Sequence, residues 1–297
     1  MVRSRRIRSS LALALVLLAA SLLAGCAAKK ACTTPAKKIV GHDLAYRMPE
    51  GTSLRYRMSS AMTQTVSFQG QSSATETTSA TELAVNSSGL KDDAYRLTVT
   101  IESMDVQVHT PEGTLAPDLS SVSGQSFDMG LTPLGEEVDF PGPDVIQYGM
   151  GESRKQSAIS ALSMMFPDVA GKPVEIGDTW ITTDGVTDKS EESEMALTFE
   201  SVNTLAGFET VDGYECARIT TVFTGTIRAS GKEGPADVTS EGDLEGTSVW
   251  HFAHKEGILV SDVTEGTGTM MIHAVTPQGE MEIPATLETQ FGTRIIP

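Results

Sequence analysis

The chain has 297 residues and is acidic, with 22 lysine and arginine residues against 39 aspartate and glutamate residues and a formal net charge of −17 at pH 7. A surface of this charge repels phosphate backbones, which argues against nucleic-acid binding through a basic patch. Aromatic residues make up only 5% of the chain, so little is available to line a large apolar cavity.

The first 25 residues have the layout of a secretory signal peptide. Four arginines between positions 3 and 8 precede an apolar run, Leu11 to Leu23, and two small residues follow the run. This run is shorter than the roughly 20 residues that a transmembrane helix needs. We therefore interpret residues 1–25 as a processing segment. The four arginines leave with it, so the rest of the chain carries a formal charge of −21.

The sequence Leu23-Ala24-Gly25-Cys26 resembles the lipobox of bacterial lipoproteins. In that family the cysteine thiol receives diacylglycerol and becomes the N-terminus after cleavage. The resemblance implies lipid attachment at Cys26 and an anchor in the cell envelope, on the non-cytoplasmic side. It also implies, because Ala27 is not aspartate, the periplasmic face of the outer membrane in a cell that has one. The alternative is an ordinary signal peptide with a chance cysteine, which would release the chain.

Residues 26–40 are predicted to form a flexible tether, because their lysines, threonines and proline offer no apolar period to bury. If Cys26 carries lipid, Cys32 in this tether and Cys216 remain as an even pair in an oxidising compartment. A disulfide between them is permitted there. The cysteine count alone does not require it, because geometry decides whether two cysteines can be bridged.

Period-two alternation of apolar residues dominates the chain after Gly41 and predicts half-buried strands. Good examples are Leu54–Met58 and Tyr95–Ile101. After Ile101 the apolar residues resume at Met104, one residue out of phase. Such a slip needs a bulge or bend, so we predict a kink near Glu102 and Ser103.

The middle of the chain breaks this pattern. Proline and glycine between positions 132 and 143 predict a loop. Apolar residues then recur at helical spacing as far as Phe166, which predicts one amphipathic helix from about Ser153 to Phe166. Alternation returns after Trp180 and continues to Phe291, which predicts antiparallel hairpins. The expected fold is therefore α+β but mostly β: a curved, half-barrel-like antiparallel sheet with one covering helix.

The two β-rich segments, residues 41–130 and 175–297, resemble each other faintly. Thr110-Pro111-Glu112-Gly113 and Thr276-Pro277-Gln278-Gly279 each follow a strand that contains a histidine. Because proline and glycine favour turns anywhere, this motif is weak support for duplication. The sequence leaves open whether residues 41–297 form one β-rich domain or two similar halves joined by a loop and a helix.

The order of strands, central helix and short motifs resembles a family of bacterial secreted lipoproteins of unknown function. The motifs are Lys172-Pro173-Val174, Gly177-Asp178-Thr179-Trp180 and Gly213-Tyr214-Glu215-Cys216. At the level of fold alone, a curved sheet with a covering helix also resembles the periplasmic carriers LolA and LolB and the mycobacterial LppX group. Those families hold acyl chains beneath the sheet. The resemblance assigns no binding residue in this chain.

The sequence contains none of the common nucleophile, phosphate-loop or zinc motifs. His251 and His254 are three apart on a predicted strand and would face opposite sides, so we interpret His254 as a turn residue and not as a metal ligand. Trp180 and Trp250 are predicted core residues. We assign no catalytic, cofactor-binding or metal site, and we do not expect an enzyme.

Three functions remain open at this stage. The first is a non-enzymatic module that binds a lipophilic ligand in the hollow of the sheet, and the second is an envelope scaffold that binds another protein through a sheet face or edge. The third is an enzyme whose site the motifs do not reveal. An apolar cavity beneath the sheet would favour the first, and a filled core with an exposed apolar patch would favour the second.

Overall fold

The computed structural model describes residues 41–142, 144–150, 154–189, 193–233, 236–276 and 279–297. The strands in this part of the chain are β1 (Ser53–Phe68), β2 (Gln71–Lys91), β3 (Ala94–Thr110), β4 (Gly113–Leu115), β5 (Ser126–Leu131), β6 (Glu137–Val138), β7 (Gln147–Met150), β8 (Arg154–Ser157), β9 (Thr179–Lys189), β10 (Ser193–Val211), β11 (Tyr214–Glu233), β12 (Ala236–Ala253), β13 (Ile258–Thr276) and β14 (Gly279–Ile296).

The chain is nearly all β, so the predicted α+β fold with a covering helix is wrong. The described part of the expected helix consists of β8 followed by a single 3-10 turn at Ser160–Leu162. No helix in the described residues has the length and apolar character to cross a membrane.

Hydrogen bonds to side chains explain why this segment is not helical. Ser157 Oγ accepts the backbone N–H of Ser160 at 3.1 Å, and Ser163 Oγ donates to the Ser160 carbonyl at 2.8 Å. The carboxylate of Glu137 accepts the backbone N–H groups of Met164 and Phe166. These bonds take backbone groups that a helix would use internally. Five of the apolar residues that predicted a helix are buried, but in an irregular segment: Ala158, Ile159, Leu162, Met165 and Phe166.

Twelve of the described strands form one antiparallel sheet. Its order is β6-β5-β3-β2-β1-β14-β13-β12-β11-β10-β9, with β4 added to the end of β3. Pairing of β1 with β14 joins the two β-rich segments into a continuous sheet. Whether these segments arose by duplication stays a prediction.

The predicted kink near Glu102 and Ser103 is confirmed. Glu82 on β2 pairs with Ser103 on β3, whereas the next residue, Leu83, pairs with Ile101. Glu102 is therefore the extra residue of a β-bulge. Because the bulge absorbs the phase slip, Ile101 and Met104 both contact the core.

One end of the sheet, here called the packed end, surrounds a filled hydrophobic core. Leu44, Tyr46 and Met48 precede β1 and are fully buried. The ring of Tyr46 packs edge-to-face against Phe166 and Phe252, with centroids 5.7 and 5.0 Å apart, and its hydroxyl donates to the Pro167 carbonyl at 2.9 Å. The segment between β6 and β9 thus packs against the face of the sheet that the predicted helix was expected to cover.

The strands continue well beyond this core, toward the turn at Gln69–Gly70 and its neighbours. We call this region the distal end. On β12, side chains from Asp237 to Thr247 alternate between exposed and half-buried, and fully buried residues begin only at Ser248. The first two thirds of β12, Ala236–Thr247, therefore lie outside the core.

Candidate functional site

Ten apolar side chains lie on the face of the distal end that continues the core side of the sheet. The strand register places them on one face, where eight are half-buried, Phe291 is exposed and Leu287 is buried. We call this set the distal apolar face: Met62, Met104, Leu197, Phe199, Phe223, Ile227, Leu244, Met270, Leu287 and Phe291. Phe291 is 44% exposed. Only Met104 among the ten packs against the hydrophobic core.

Glycines on neighbouring strands let the large side chains of this face lie flat. Phe199 is paired across strands with Gly225, and a Cβ at that glycine would lie 2.5 Å from the phenyl ring. Phe223 lies over Gly246 in the same way, and Leu244 lies over Gly268. The rings of Phe199 and Phe223 also pack edge-to-face, 5.7 Å apart. Each of these large side chains therefore lies over the backbone of a glycine, in the space that the side chain of any other residue would fill.

The two faces of the distal end differ sharply in polarity. On the face that carries the ten apolar residues, Asp184 of β9 pairs with Phe199, so one carboxylate borders the distal apolar face at that edge. The opposite face of the same strands carries exposed carboxylates, among them Glu241, Asp243 and Glu245 on β12 and Glu265 on β13. Carboxylates keep the opposite face in contact with water, whereas the distal apolar face leaves apolar surface partly open to solvent.

A shallow groove of about 630 Å³ crosses five strands at the distal end. It is lined mainly by side chains of the charged face, including Thr65, Arg228, Asp243 and Met271. The groove therefore does not provide the apolar hollow expected beneath the sheet.

A second hollow, of about 670 Å³, lies between the two ends of the strand order. One wall is the edge strand β9 from Trp180 to Thr187, and the other is β6 with its flanking loop. The irregular segment after β8 supplies the floor, including Met164 and Asp168. We call this hollow the seam cleft. Because β6 and β9 both line it, the sheet curls far enough to bring its two ends near each other.

Carboxyl groups dominate the charge of the seam cleft. Glu136, Glu137, Asp168 and Asp184 line it, and none of its lining side chains in the described part of the chain is basic. Burial raises the pKa of Glu137 to about 7, although hydrogen bonds from the amides of the irregular segment oppose this shift. Burial and the nearby charge of Asp184 raise the pKa of Asp168 to about 6.

These shifts predict a loss of stability as the pH rises. A carboxyl group whose pKa is higher in the folded state than its ordinary 4.5 binds protons more tightly when folded, so the free energy of unfolding falls as the pH rises from about 4.5 to 7. Above pH 6, past the pKa of Asp168, Glu137 should contribute most of this slope. We expect a total of about 1 to 2 kcal/mol from Glu137, below the ceiling of about 3, because its side chain is only partly buried.

Urea unfolding between pH 5 and 8 would test this prediction. Glu137→Gln, which resembles the protonated acid, should flatten the slope above pH 6. Glu265→Gln, at an exposed carboxylate of the opposite face, should leave the slope unchanged. Equal slopes for the two variants would contradict the assignment to Glu137.

The structure places several residues singled out from the sequence. His254 lies in a turn, as predicted, with its ring against Phe208. The ring of His251 has other partners: its Nε2 lies 2.7 Å from Glu209 Oε1, and its Nδ1 lies 2.9 Å from Ser261 Oγ. The prediction that Trp180 and Trp250 are core residues is confirmed. Within the described residues, no three His, Cys, Asp or Glu side chains are grouped as metal ligands.

Cys216 is fully buried, and burial raises the pKa of its thiol to about 11, so it is a poor nucleophile. Cys26 and Cys32 lie outside the described residues. The lipid attachment and the disulfide between Cys32 and Cys216 therefore stay predictions, as does the flexible tether.

No family model and no curated protein matches the chain. Among solved structures, the chain is similar to Neisserial surface protein A, with 9% identity and a TM-score of 0.23 over 82% of this chain and 98% of that chain. A putative exported protein with a YmcC-like fold from Bacteroides fragilis has 10% identity and a TM-score of 0.24, over 86% of this chain and 99% of that chain. OccK2 from Pseudomonas aeruginosa, in complex with glucuronate, has 8% identity and a TM-score of 0.21, over 86% and 99%. TM-scores this low support no conclusion about fold or function.

Proposed function

We propose that the protein is a lipid-anchored lipoprotein of the bacterial envelope that binds another protein through the distal apolar face and catalyses no reaction. The observation that carries this proposal is the exposure of an uncharged apolar surface on strands whose other face is charged. Monomeric proteins rarely leave a large contiguous apolar surface open to water unless it contacts something else.

The size of the distal apolar face favours a protein as the occupant. Its ten residues lie on seven strands, β1, β3 and β10–β14, and β2 lies between two of these, so the patch is eight strands wide. With strands about 4.8 Å apart and a length of about eight residues at 3.3 Å per residue, it covers roughly 900 Å² of sheet. A standard protein interface buries about 800 Å² on each partner. A single acyl chain would leave most of this face open to water.

The first function considered, a carrier of a lipophilic ligand, loses the covering helix that it required, although the long strands and the bulge at Glu102 that also favoured it are present. Its roof was the amphipathic helix, whose place is taken by an irregular segment within a filled core. Of the two hollows described above, one lies mainly on the charged face, and the other, the seam cleft, contacts this segment but is lined by carboxylates as well as apolar side chains. Binding of a lipophilic ligand therefore becomes an outcome that the test below must distinguish.

The anchor belongs to the same proposal. Lipid on Cys26 would attach the domain to the non-cytoplasmic side of a membrane, at the periplasmic face of the outer membrane in a cell that has one. Fully extended, the 14 residues from 27 to 40 would reach at most about 50 Å. This reach would let the packed domain, whose described part begins at Gly41, meet a partner at a distance from the bilayer.

Photo-crosslinking in the native bacterium would test the binding face. We expect a photoreactive amino acid at position 244, on the distal apolar face, to give one adduct with another protein. The matched control is position 245, the next residue on the same strand, which faces the opposite side and should give none. Because an uncompensated charge disfavours an apolar contact, Met270→Glu should remove the adduct at position 244.

Three results would contradict the proposal. Equal adducts at positions 244 and 245 would indicate random collision, and a lipid adduct at position 244 would revive the carrier hypothesis. An adduct only with a second copy of the chain would replace the heterologous partner by self-association. Circular dichroism of the Met270→Glu protein would verify that the fold is intact.

A further inference from the structure

The free edge of β9 is a surface that the proposed function does not use. β9 is the last strand in the sheet order, and in the described part of the chain it pairs only with β10. Its other edge faces the seam cleft from Trp180 to Thr187. Alternate residues of such an edge direct their backbone N–H and C=O groups away from the sheet, where an added strand can bind them.

The protection of this edge against strand addition rests on one inward-facing charge. Proteins block exposed edges with lysine, with proline, with a covering element or with inward-pointing charged residues. Asp184 is such a residue, because it pairs across strands with the core-side residue Phe199, and a cation on an added strand would neutralise it. Residues 180–187 include neither lysine nor proline, and a cleft of about 670 Å³ lies beside them. The cleft therefore leaves space along a strand that is able to pair.

The charge of the cleft indicates which segment would fit. Asp168 and Asp184 are both partly buried, and Asp184 lies close enough to influence the ionisation of Asp168. Glu136 adds a more exposed carboxylate at the opposite wall. Because no lining side chain in the described residues supplies a balancing positive charge, a cation on the ligand would be stabilised here.

We propose that the seam cleft binds an extended segment of another protein, which adds to the free edge of β9 as a strand and places a lysine or arginine beside Asp168 and Asp184. Backbone hydrogen bonds supply the affinity in this mode of recognition, and the side-chain environment supplies the specificity. The added strand would occupy the gap between the two ends of the sheet.

Synthetic peptides would test the proposal with the chain from position 26 carrying Cys26→Ser, so that no lipid is attached. The probe is a fluorescent eight-residue peptide of alternating threonine and valine with two lysines, and fluorescence anisotropy measures its affinity. Two further peptides carry N-methyl groups on alternate residues, in the two complementary registers. Each N-methylated peptide keeps one edge that can donate. In a strand antiparallel to β9 with its lysines on the same face as Asp184, only one of these edges points to β9, so one N-methylated peptide should bind and the other should not.

The charge requirement is tested separately. A peptide with glutamate in place of lysine should bind at least about tenfold more weakly, and so should the lysine peptide with the Asp168→Asn, Asp184→Asn protein. Asp243→Asn, in the groove of the opposite face, is the matched control and should leave the affinity unchanged. The Met270→Glu protein should also bind normally, which separates this site from the distal apolar face.

Equal binding of the two N-methylated peptides would overturn strand addition. Equal binding of the lysine and glutamate peptides would overturn the role of the carboxylates. Absence of binding by the lysine peptide would overturn the proposal as a whole, whatever the outcome of crosslinking at position 244.

Discussion

Replacing Trp250 by alanine should lower the free energy of unfolding by about 3 to 5 kcal/mol, a large fraction of the stability of an ordinary domain. Trp250 is 1% exposed and contacts Trp180 edge-to-face, with ring centroids 6.2 Å apart. Its removal would leave a cavity inside the packed end, where the surrounding strands are held by the sheet and cannot collapse freely.

Hydrogen bonds add to this cost, because Trp250 begins a polar chain that crosses four neighbouring strands. Its Nε1–H donates to Thr221 Oγ1 at 3.0 Å, and Thr221 donates to Asn203 Oδ1 at 2.6 Å. Asn203 Nδ2 in turn donates to Thr182 Oγ1 at 3.3 Å. Thr221 and Asn203 are both buried, so losing the indole leaves an acceptor without its donor.

Two further substitutions separate these contributions. Trp250→Phe keeps most of the volume but removes the N–H group, and should cost about 1 to 2 kcal/mol. Val263→Ala, at a half-exposed position of the opposite face, should change the free energy of unfolding by less than about 0.5 kcal/mol. Urea unfolding followed by far-ultraviolet circular dichroism measures all three variants. A Trp250→Ala protein as stable as Val263→Ala would refute the role of this residue.

The strands and the bulge at Glu102 could be predicted because both depend on local alternation. A residue on a strand faces the core or the solvent according to its position alone, so the slip between Ile101 and Met104 was visible in the sequence. The turn at His254 was predictable for the same reason, since it separates two alternating runs.

The local sequence alone could not show that the segment predicted as a helix is irregular. Apolar spacing between positions 158 and 166 correctly indicated burial but not conformation. The group that accepts the amides of Met164 and Phe166 is Glu137, more than twenty residues earlier in the chain. A local pattern does not contain that partner, and tertiary hydrogen bonds can override helical spacing.

The distal apolar face and the seam cleft could not be predicted from the sequence for a related reason. The glycines at 242 and 246 on β12 are four residues apart and those at 266 and 268 on β13 are two apart, so each pair lies on one strand face, and this spacing could have indicated a flat face. Their partners, however, depend on the strand register. Predicting the seam cleft also requires knowledge of the strand order. The cleft is lined by β6 and β9, which are adjacent neither in the sequence nor in the sheet.

Replacing Cys26 by serine should abolish membrane association. Lipid transfer in bacterial lipoproteins takes place on the cysteine sulfur, and a serine hydroxyl does not form a comparable nucleophile near neutral pH. A diacylglyceryl group supplies two acyl chains, and each buried CH₂ contributes about 0.8 kcal/mol to membrane binding, so two chains give a stable anchor. The expected change is therefore close to complete loss and not a partial shift.

Detergent partitioning of whole-cell extracts measures this change. Wild-type protein should enter the detergent phase, whereas the Cys26→Ser protein should remain in the aqueous phase or accumulate as the unprocessed precursor. Cys32→Ser is the matched control, because it removes a thiol six residues away and should leave partitioning unchanged. If the Cys26→Ser protein enters the detergent phase at the wild-type level, the anchor is not lipid on Cys26, and the reach of about 50 Å deduced for residues 27–40 no longer applies.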